Sequence, residues 1–174
     1  MGIIYCEKDR TFTLQTKETT YQMQVDQYGF LLHLYYGKKA EGCMDYLLTY
    51  YDRGFSGNPY DAGTDRTYSM DSLPQELSYY GNGDFRSASL MLENGDGSMS
   101  CDMRYKNYTI RDGKYSLPGL PAVYADNDEH RLWRSYWRIR LPAWRPCFFT
   151  VYFRNWISLQ EASISAIRAV RRSM

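Results

Sequence analysis

The stretch TFTLQTKETTYQMQV, residues 11–25, alternates with a period of two, and few folds accommodate that pattern. Phe12 and Leu14 fall on one side, with Thr11, Thr13 and Gln15 on the other. Tyr21, Met23 and Val25 then alternate with Gln22 and Gln24. Successive strand side chains point to opposite faces, so this pattern predicts half-buried strands and argues against a helix. FLLHLYYG, closed by Gly37, predicts a further and more apolar strand. ENGDGS at 93–98 separates SASLMLE from MSCDMRY and predicts a hairpin, because Asn-Gly and Asp-Gly tolerate positive φ. RDGK at 111–114 predicts a second turn, and Pro118 and Pro121 of LPGLPAVY suit an edge or a crossing.

Between Tyr50 and Tyr80 the alternation stops. The segment is rich in Gly, Asp, Asn and aromatic residues, and an unstructured stretch of that length within one domain is uncommon and often functional. Its acids, amides and aromatic faces suit a carbohydrate, which presents hydroxyls on one side and C–H groups on the other. Composition alone favours the blander reading, a solvated insertion whose Tyr and Asp residues only close turns. His33, within LLHLYY, reads as a satisfied strand histidine, and GNGDF at 81–85 reads as a turn.

Composition excludes several classes of function. Cys6, Cys43, Cys101 and Cys147 contain no CxxC pair, and the two histidines, His33 and His130, are far apart, so ordinary reduced thiols and no metal are expected. Nucleotide-binding glycine loops, GxSxG and HExxH are absent, and no cofactor is implied. No apolar run approaches the roughly 18 residues that span a membrane, and MGIIYCEKDR does not read as a signal peptide. A cytoplasmic location is the expectation.

FTLQTKETTYQMQV, HLYYGKK, DRGFSGNPYDAGTDRTYSMDSLPQELSYYGNGDFRSASLMLENGDG, DMRY and LPGLPAVYADNDE together resemble the beginning of family-36 glycoside hydrolases, retaining α-galactosidases of the bacterial type. The resemblance runs from about residue 3 to residue 129 and is most specific in LPQE, YGNGDFR and LENG. It implies a mainly β fold, a partial β-supersandwich that precedes a catalytic (β/α)8 barrel in the full enzyme. The family's catalytic aspartates lie on that barrel, so none is carried over. The expectation is a fragment of α-galactosidase lineage, inactive alone. The resemblance also implies that the DRxFSxNP loop shapes the sugar pocket. Here it supplies Asp52, Arg53, Phe55, Ser56, Asn58 and Pro59. Asp52 would bond hydroxyls of the terminal galactose, with Phe55 and Asn58 holding the loop in shape. The implied partners are α-galactosides, bound once a barrel is present, and further subunits in the parent enzyme.

The chain changes character at His130. All four tryptophans and nine of the 21 basic residues lie beyond it, with Glu161 as the single acid. All 13 glycines lie before it. Residues 1–129 therefore carry a net charge of −7 and residues 130–174 a net of +8, which the whole-chain charge of +1 conceals. When Trp133–Arg134, Trp137–Arg138 and Trp144–Arg145 are written TGG-AGR and read two nucleotides further on, each gives a glutamate codon. Permissible codons turn the whole tail into an alternating peptide that resembles the family's continuation. Residues 130–174 accordingly read as out-of-frame translation, which divides the chain into a β-domain at 1–129 and a basic tail at 130–174. Two rival readings stand beside this one. RLWRSYWRIRLPAWR interleaves Arg and Trp as a nucleic-acid groove or a membrane-surface peptide would. Trp156, Leu159, Ile164, Ile167 and Val170 also fit a basic amphipathic helix. Neither nucleic acid nor membrane is the expected partner. A non-catalytic galactoside-binding sandwich remains the alternative function. Resequencing the coding locus from the codon of Ala122 past Met174 is expected to show a second frame that continues into a barrel; an intact frame closed by a stop after Met174 would make the tail a genuine peptide.

Overall fold

The computed structural model describes residues 2–52, 54, 57–94, 96–112, 131–139, 150–153 and 162–163. Among these residues eight strands form two four-stranded antiparallel sheets. The first sheet runs in chain order through β1 (Gly2–Cys6), β2 (Thr11–Gln15), β3 (Thr19–Val25) and β4 (Leu31–Lys38). The second runs through β5 (Met103–Asp112), β6 (Arg131–Ile139), β7 (Thr150–Phe153) and β8 (Ala162–Ser163). The strands read from alternation and from FLLHLYYG all form. RDGK enters β5 only as far as Asp112, and the remainder of that turn and the LPGLPAVY segment lie outside the described residues.

The two sheets meet through aromatic side chains. Phe12, fully buried, packs against Tyr5 on its own sheet and against Tyr105, Tyr108 and Trp133 of the other. Its ring lies 5.0 Å from that of Trp133, edge to face, an arrangement that adds to the area it buries. Met23, Val25, Leu31 and Trp137 complete this layer.

The outer face of the first sheet is covered as well, which the half-buried pattern did not anticipate. After β4 the chain returns across that face as a strap, residues 39–44. Thr20 and Gln15 bond the carbonyl of Ala40, and Gln22 bonds the carbonyl of Gly42 and the amide of Met44. The polar face is thus satisfied by backbone groups, and so Thr11, Thr20 and Gln22 are buried without an apolar lining.

The described residues of 45–102 contain no strand, only 3-10 turns at Asp45–Leu47 and Tyr60–Ala62 and two isolated bridges. They are not a solvated insertion. Ala62, Tyr68, Met70, Leu73, Tyr79 and Leu90 all enter the core. Part of the expected hairpin also departs from expectation. Its turn forms, with Asn94 and Ser98 joined by a 2.8 Å backbone bond and Gly97 at φ 79°, but no ladder flanks it. The backbone of Ser89 and Leu90 bonds instead to Ser78 and Tyr80, which removes the groups a ladder would use.

Beyond the change of composition, the described residues 131–139 belong to the second sheet. β6 pairs with β5 along its length, and Trp133, Ser135 and Trp137 alternate into the interior. Trp137 donates its indole N–H to Ser135 at 2.8 Å. Of the segment read as an amphipathic helix, Ala162–Ser163 form β8 and the remainder lies outside the described residues. Phe12→Ala is expected to cost about 3–5 kcal/mol, by lost transfer energy and the cavity left behind. Urea unfolding measures it; a loss below about 1 kcal/mol would mean the sheets do not meet through this ring.

Candidate functional site

The strap leads through Asp45–Leu47 into the loop of interest. Asp52 heads an Asx turn: its Oδ1 accepts the N–H of Gly54 at 2.6 Å, and Gly54 takes φ 73°, which favours glycine. The other carboxylate oxygen lies 3.3 Å from Nε of Arg66. Both side chains are open to water, at 49% and 64% exposure. Asn58 ties the far end of the loop to the same place, donating from Nδ2 to the carbonyl of Asp65 at 2.7 Å. Its Oδ1 is buried and has no hydrogen-bond partner among the described residues. The 65–67 turn is itself fixed, since Asp65 Oδ1 accepts from both the amide and the hydroxyl of Thr67. Those bonds hold the Asp65 carboxyl below the usual carboxylate range. Arg53, Phe55 and Ser56 lie outside the described residues. The structure therefore brings Asp52 and Asn58 to one platform, the Asp65–Thr67 turn, which sequence reading did not single out.

A second turn abuts the loop. Gly57 and Gly83 are in close contact, such that a Cβ on Gly57 would lie 3.0 Å from the Gly83 Cα. The Gly83 turn is locked by the residues of the LPQE and GNGDFR motifs. Gln75 donates to Asp84 at 2.7 Å, Asn82 donates to Gln75 at 3.0 Å, and the Asp84 amide donates to Asn82 at 3.1 Å. Arg86 grips Asp84 through Nε at 2.9 Å and a terminal nitrogen at 2.8 Å, then reaches the carbonyls of Met70 and Leu73. Burial alone would push the Asp84 carboxyl upward, but the bonds from Arg86 and Gln75 outweigh it and hold the group below its usual range. Around these loops Tyr60 and Phe85 are open to solvent, at 97% and 81% exposure.

The remainder of LPQE makes a third contact. Glu76 is buried, accepts the Tyr21 hydroxyl at 2.5 Å, and presents its other oxygen 3.6 Å from Nδ1 of His33. Burial first, and then the Glu76 charge, push the Tyr21 phenol well above its usual range. His33 is thus anchored to its surroundings, with its ring edge-on to Tyr21 at 5.0 Å. Among the described residues no group of three or more His, Cys, Asp or Glu side chains is placed to hold a metal ion. None of their helices is long and apolar enough to cross a membrane.

Residues 29–135, which include both loops and both motifs, match the model of the glycosyl hydrolase family 36 N-terminal domain. The chain belongs to glycosyl hydrolase family 36. It is 60% identical over 129 residues to the bifunctional α-galactosidase/sucrose kinase AgaSK of Mediterraneibacter gnavus, covering 74% of this chain and 14% of that protein. It is 37% identical over 130 residues to the α-galactosidase AgaA of Geobacillus stearothermophilus, covering 74% of this chain and 18% of that one. Among solved structures, the galactosidase domain of AgaSK superposes with a TM-score of 0.81 at 49% identity, over 88% of this chain and 21% of that one. An AgaA variant solved with raffinose superposes with a TM-score of 0.75 at 34% identity, over 83% of this chain and 20% of that one. The chain therefore spans about a seventh to a fifth of the length of these family-36 relatives.

Family 36 membership was legible in LPQE and GNGDFR, and the structure gives those residues a mechanical role. Their side chains bind one another and the backbone of residues 70–73. Asp84→Asn is expected to cost about 1–3 kcal/mol at pH 7, because it removes a charged acceptor from a buried network. Asp84 is depressed in the folded state, so its stabilisation is present above the unfolded carboxyl pKa near 3.9 and fades as pH falls through the lower folded value. Denaturant midpoints of the two forms should converge in acid, and a gap that persists undiminished at pH 2 would sink this account.

Proposed function

We propose that the chain serves as the N-terminal β-sandwich of an α-galactosidase that hydrolyses terminal non-reducing α-galactosyl residues from oligosaccharides. The observation that carries this reading is the family match over residues 29–135, joined to α-galactosidase relatives at up to 60% identity. AgaA structures described in complex with raffinose and with stachyose support α-galactosides as the substrate class. Retaining hydrolysis requires two carboxyl groups about 5–5.5 Å apart, and this proposal assigns both to a barrel domain. Residues of this chain receive a binding role. A cytoplasmic location and assembly with further subunits belong to the same proposal.

Asp52 is the proposed sugar-binding carboxylate, with Asn58 shaping the loop and Arg53 and Phe55 belonging to the same motif. The geometry supports an exchange mechanism. An exposed pair such as Asp52–Arg66 is worth about 0–1 kcal/mol, whereas a charge-assisted bond to a sugar hydroxyl shielded from water is worth roughly 1.5–3 kcal/mol. Arg66 therefore holds Asp52 in place without competing strongly with a ligand. The out-of-frame reading of residues 130–174 is proposed alongside, supported by sequence similarity that spans 125–130 residues of the chain in four relatives.

Titration of raffinose into the chain, followed by NMR shifts of loop amides, tests the assignment. Weak saturable binding is expected, with affinity reduced about tenfold in Asp52→Asn, as 1.4 kcal/mol requires. Undiminished binding by Asp52→Asn would remove the carboxylate from the site. Hydrolysis of an aryl α-galactoside by the chain alone would overturn the division of labour between domains. Saturable binding without any relation to a barrel-bearing protein would favour the sugar-binding sandwich.

A further inference from the structure

The turn that joins β1 to β2 carries a chemistry unrelated to sugar. Cys6 closes β1 and is the register partner of Thr11, so both side chains leave the sheet on the strap side, with Cβ atoms roughly 4.5–5.5 Å apart. Thr11 donates its hydroxyl proton to the carbonyl of Asp9 at 3.1 Å. The sulfur of Cys43, on the strap, lies 3.6 Å from that same hydroxyl oxygen, and since the proton is committed to Asp9, the Cys43 thiol is the donor. Cys6 donates to the Asp9 carboxylate at 3.3 Å. Two thiols from distant parts of the chain thus border one threonine and one turn. Cys6 is exposed and Cys43 is partly buried, whereas Cys101 is buried in the core.

We infer that Cys6 and Cys43 are a thiol pair that closes to a disulfide on meeting a small-molecule disulfide, stapling β1 to the strap. The Cys6 thiolate attacks one sulfur of glutathione disulfide, which breaks the S–S bond and releases one glutathione thiolate that takes up a proton. Cys43, deprotonated by solvent, then attacks the Cys6 sulfur of the mixed disulfide and expels the second glutathione. Two protein thiols are oxidised and one glutathione disulfide is reduced to two thiols, and excess thiol reverses both steps. Closure requires a rotation of Cys6 from Asp9 toward Thr11 and an approach of the strap, to bring the two Cβ atoms within about 4.5 Å. The strap runs on to Asp52, so the staple ties the approach to that loop to the N-terminal strand. The inference does not depend on what the loop binds.

Trypsin tests it cleanly, because cleavage after Lys8, Lys39 and Arg53 leaves Cys6 and Cys43 in separate peptides, 1–8 and 40–53. The folded chain is incubated with glutathione disulfide, remaining thiols are alkylated, and the digest is read by mass spectrometry. A joined 1–8/40–53 species lacking two hydrogens is expected, formed about tenfold or more faster in the folded chain than in urea, since the fold sets the effective concentration. Cys43→Ser should stop at a glutathione adduct on Cys6, and Cys6→Ser should leave Cys43 largely reduced. The second variant changes only an exposed side chain and keeps the test valid if the first fails to fold. Separate glutathione adducts on both peptides, a joined species with Cys101 or Cys147, or equal rates in urea would each overturn the inference.

Discussion

The guanidinium of Arg104 is the point at which the parts of this domain are fastened together. It stands near the start of β5, almost buried, and bonds Asp102 just before that strand at 2.6 Å, Asp61 of the irregular segment at 2.9 Å and the Tyr28 carbonyl of the β3–β4 turn at 2.6 Å. Its carbon lies 4.0 Å from the centre of the Phe30 ring. A planar fork with five donors meets such divergent acceptors, whereas a lysine would not. Burial disfavours the charge, but the two carboxylates more than compensate, so the guanidinium is held charged. First sheet, loop segment and second sheet all converge on this one side chain. The turn it grips is set by Asp26, whose carboxylate accepts the amides of Tyr28 and Phe30 and the Tyr68 hydroxyl.

That fastening explains how residues 45–102 keep a shape without strands. Their backbone is not paired in ladders, yet core residues such as Tyr68 and Tyr79 point inward, and charged or amide side chains connect the turns. Tyr79 donates to the Met103 carbonyl at 3.0 Å, beside Arg104 itself. The Asp52 loop thus rests on turns that are cross-linked by side-chain hydrogen bonds, and such preorganisation would reduce the ordering cost of the proposed sugar binding.

The strands at 11–38 were readable because alternation is a local property, and each inward residue, Phe12, Met23 and Val25, is apolar. The outward ones misled: Gln15 and Gln22 fell on the open side of half-buried strands, yet the strap satisfies them, and no period in the sequence announces a backbone acceptor 20 or more residues away. The SASLMLE strand failed for a related reason, since Ser78 and Tyr80 claimed its hydrogen bonds. In β6 the alternation of Trp133, Ser135 and Trp137 was present in the sequence, but arginines between them drew attention to charge. At the candidate site, Asp52 and Asn58 were singled out through the family motif. Arg66 and the Gly57–Gly83 contact were not, because pairings across long separations leave no local trace.

The strap has a bearing on how such a domain tolerates change. The outward strand residues hold it largely by its backbone, at the carbonyls of Ala40 and Gly42 and the amide of Met44. Peptide groups are the same whatever side chain they carry, so these anchors place few demands on residue identity at 40–44. Apart from Gly42, whose φ of 88° favours glycine, sequence drift along this segment is nearly silent for the fold. Novel chemistry can therefore collect there, one substitution at a time, on a stretch that leads directly to the Asp52 loop.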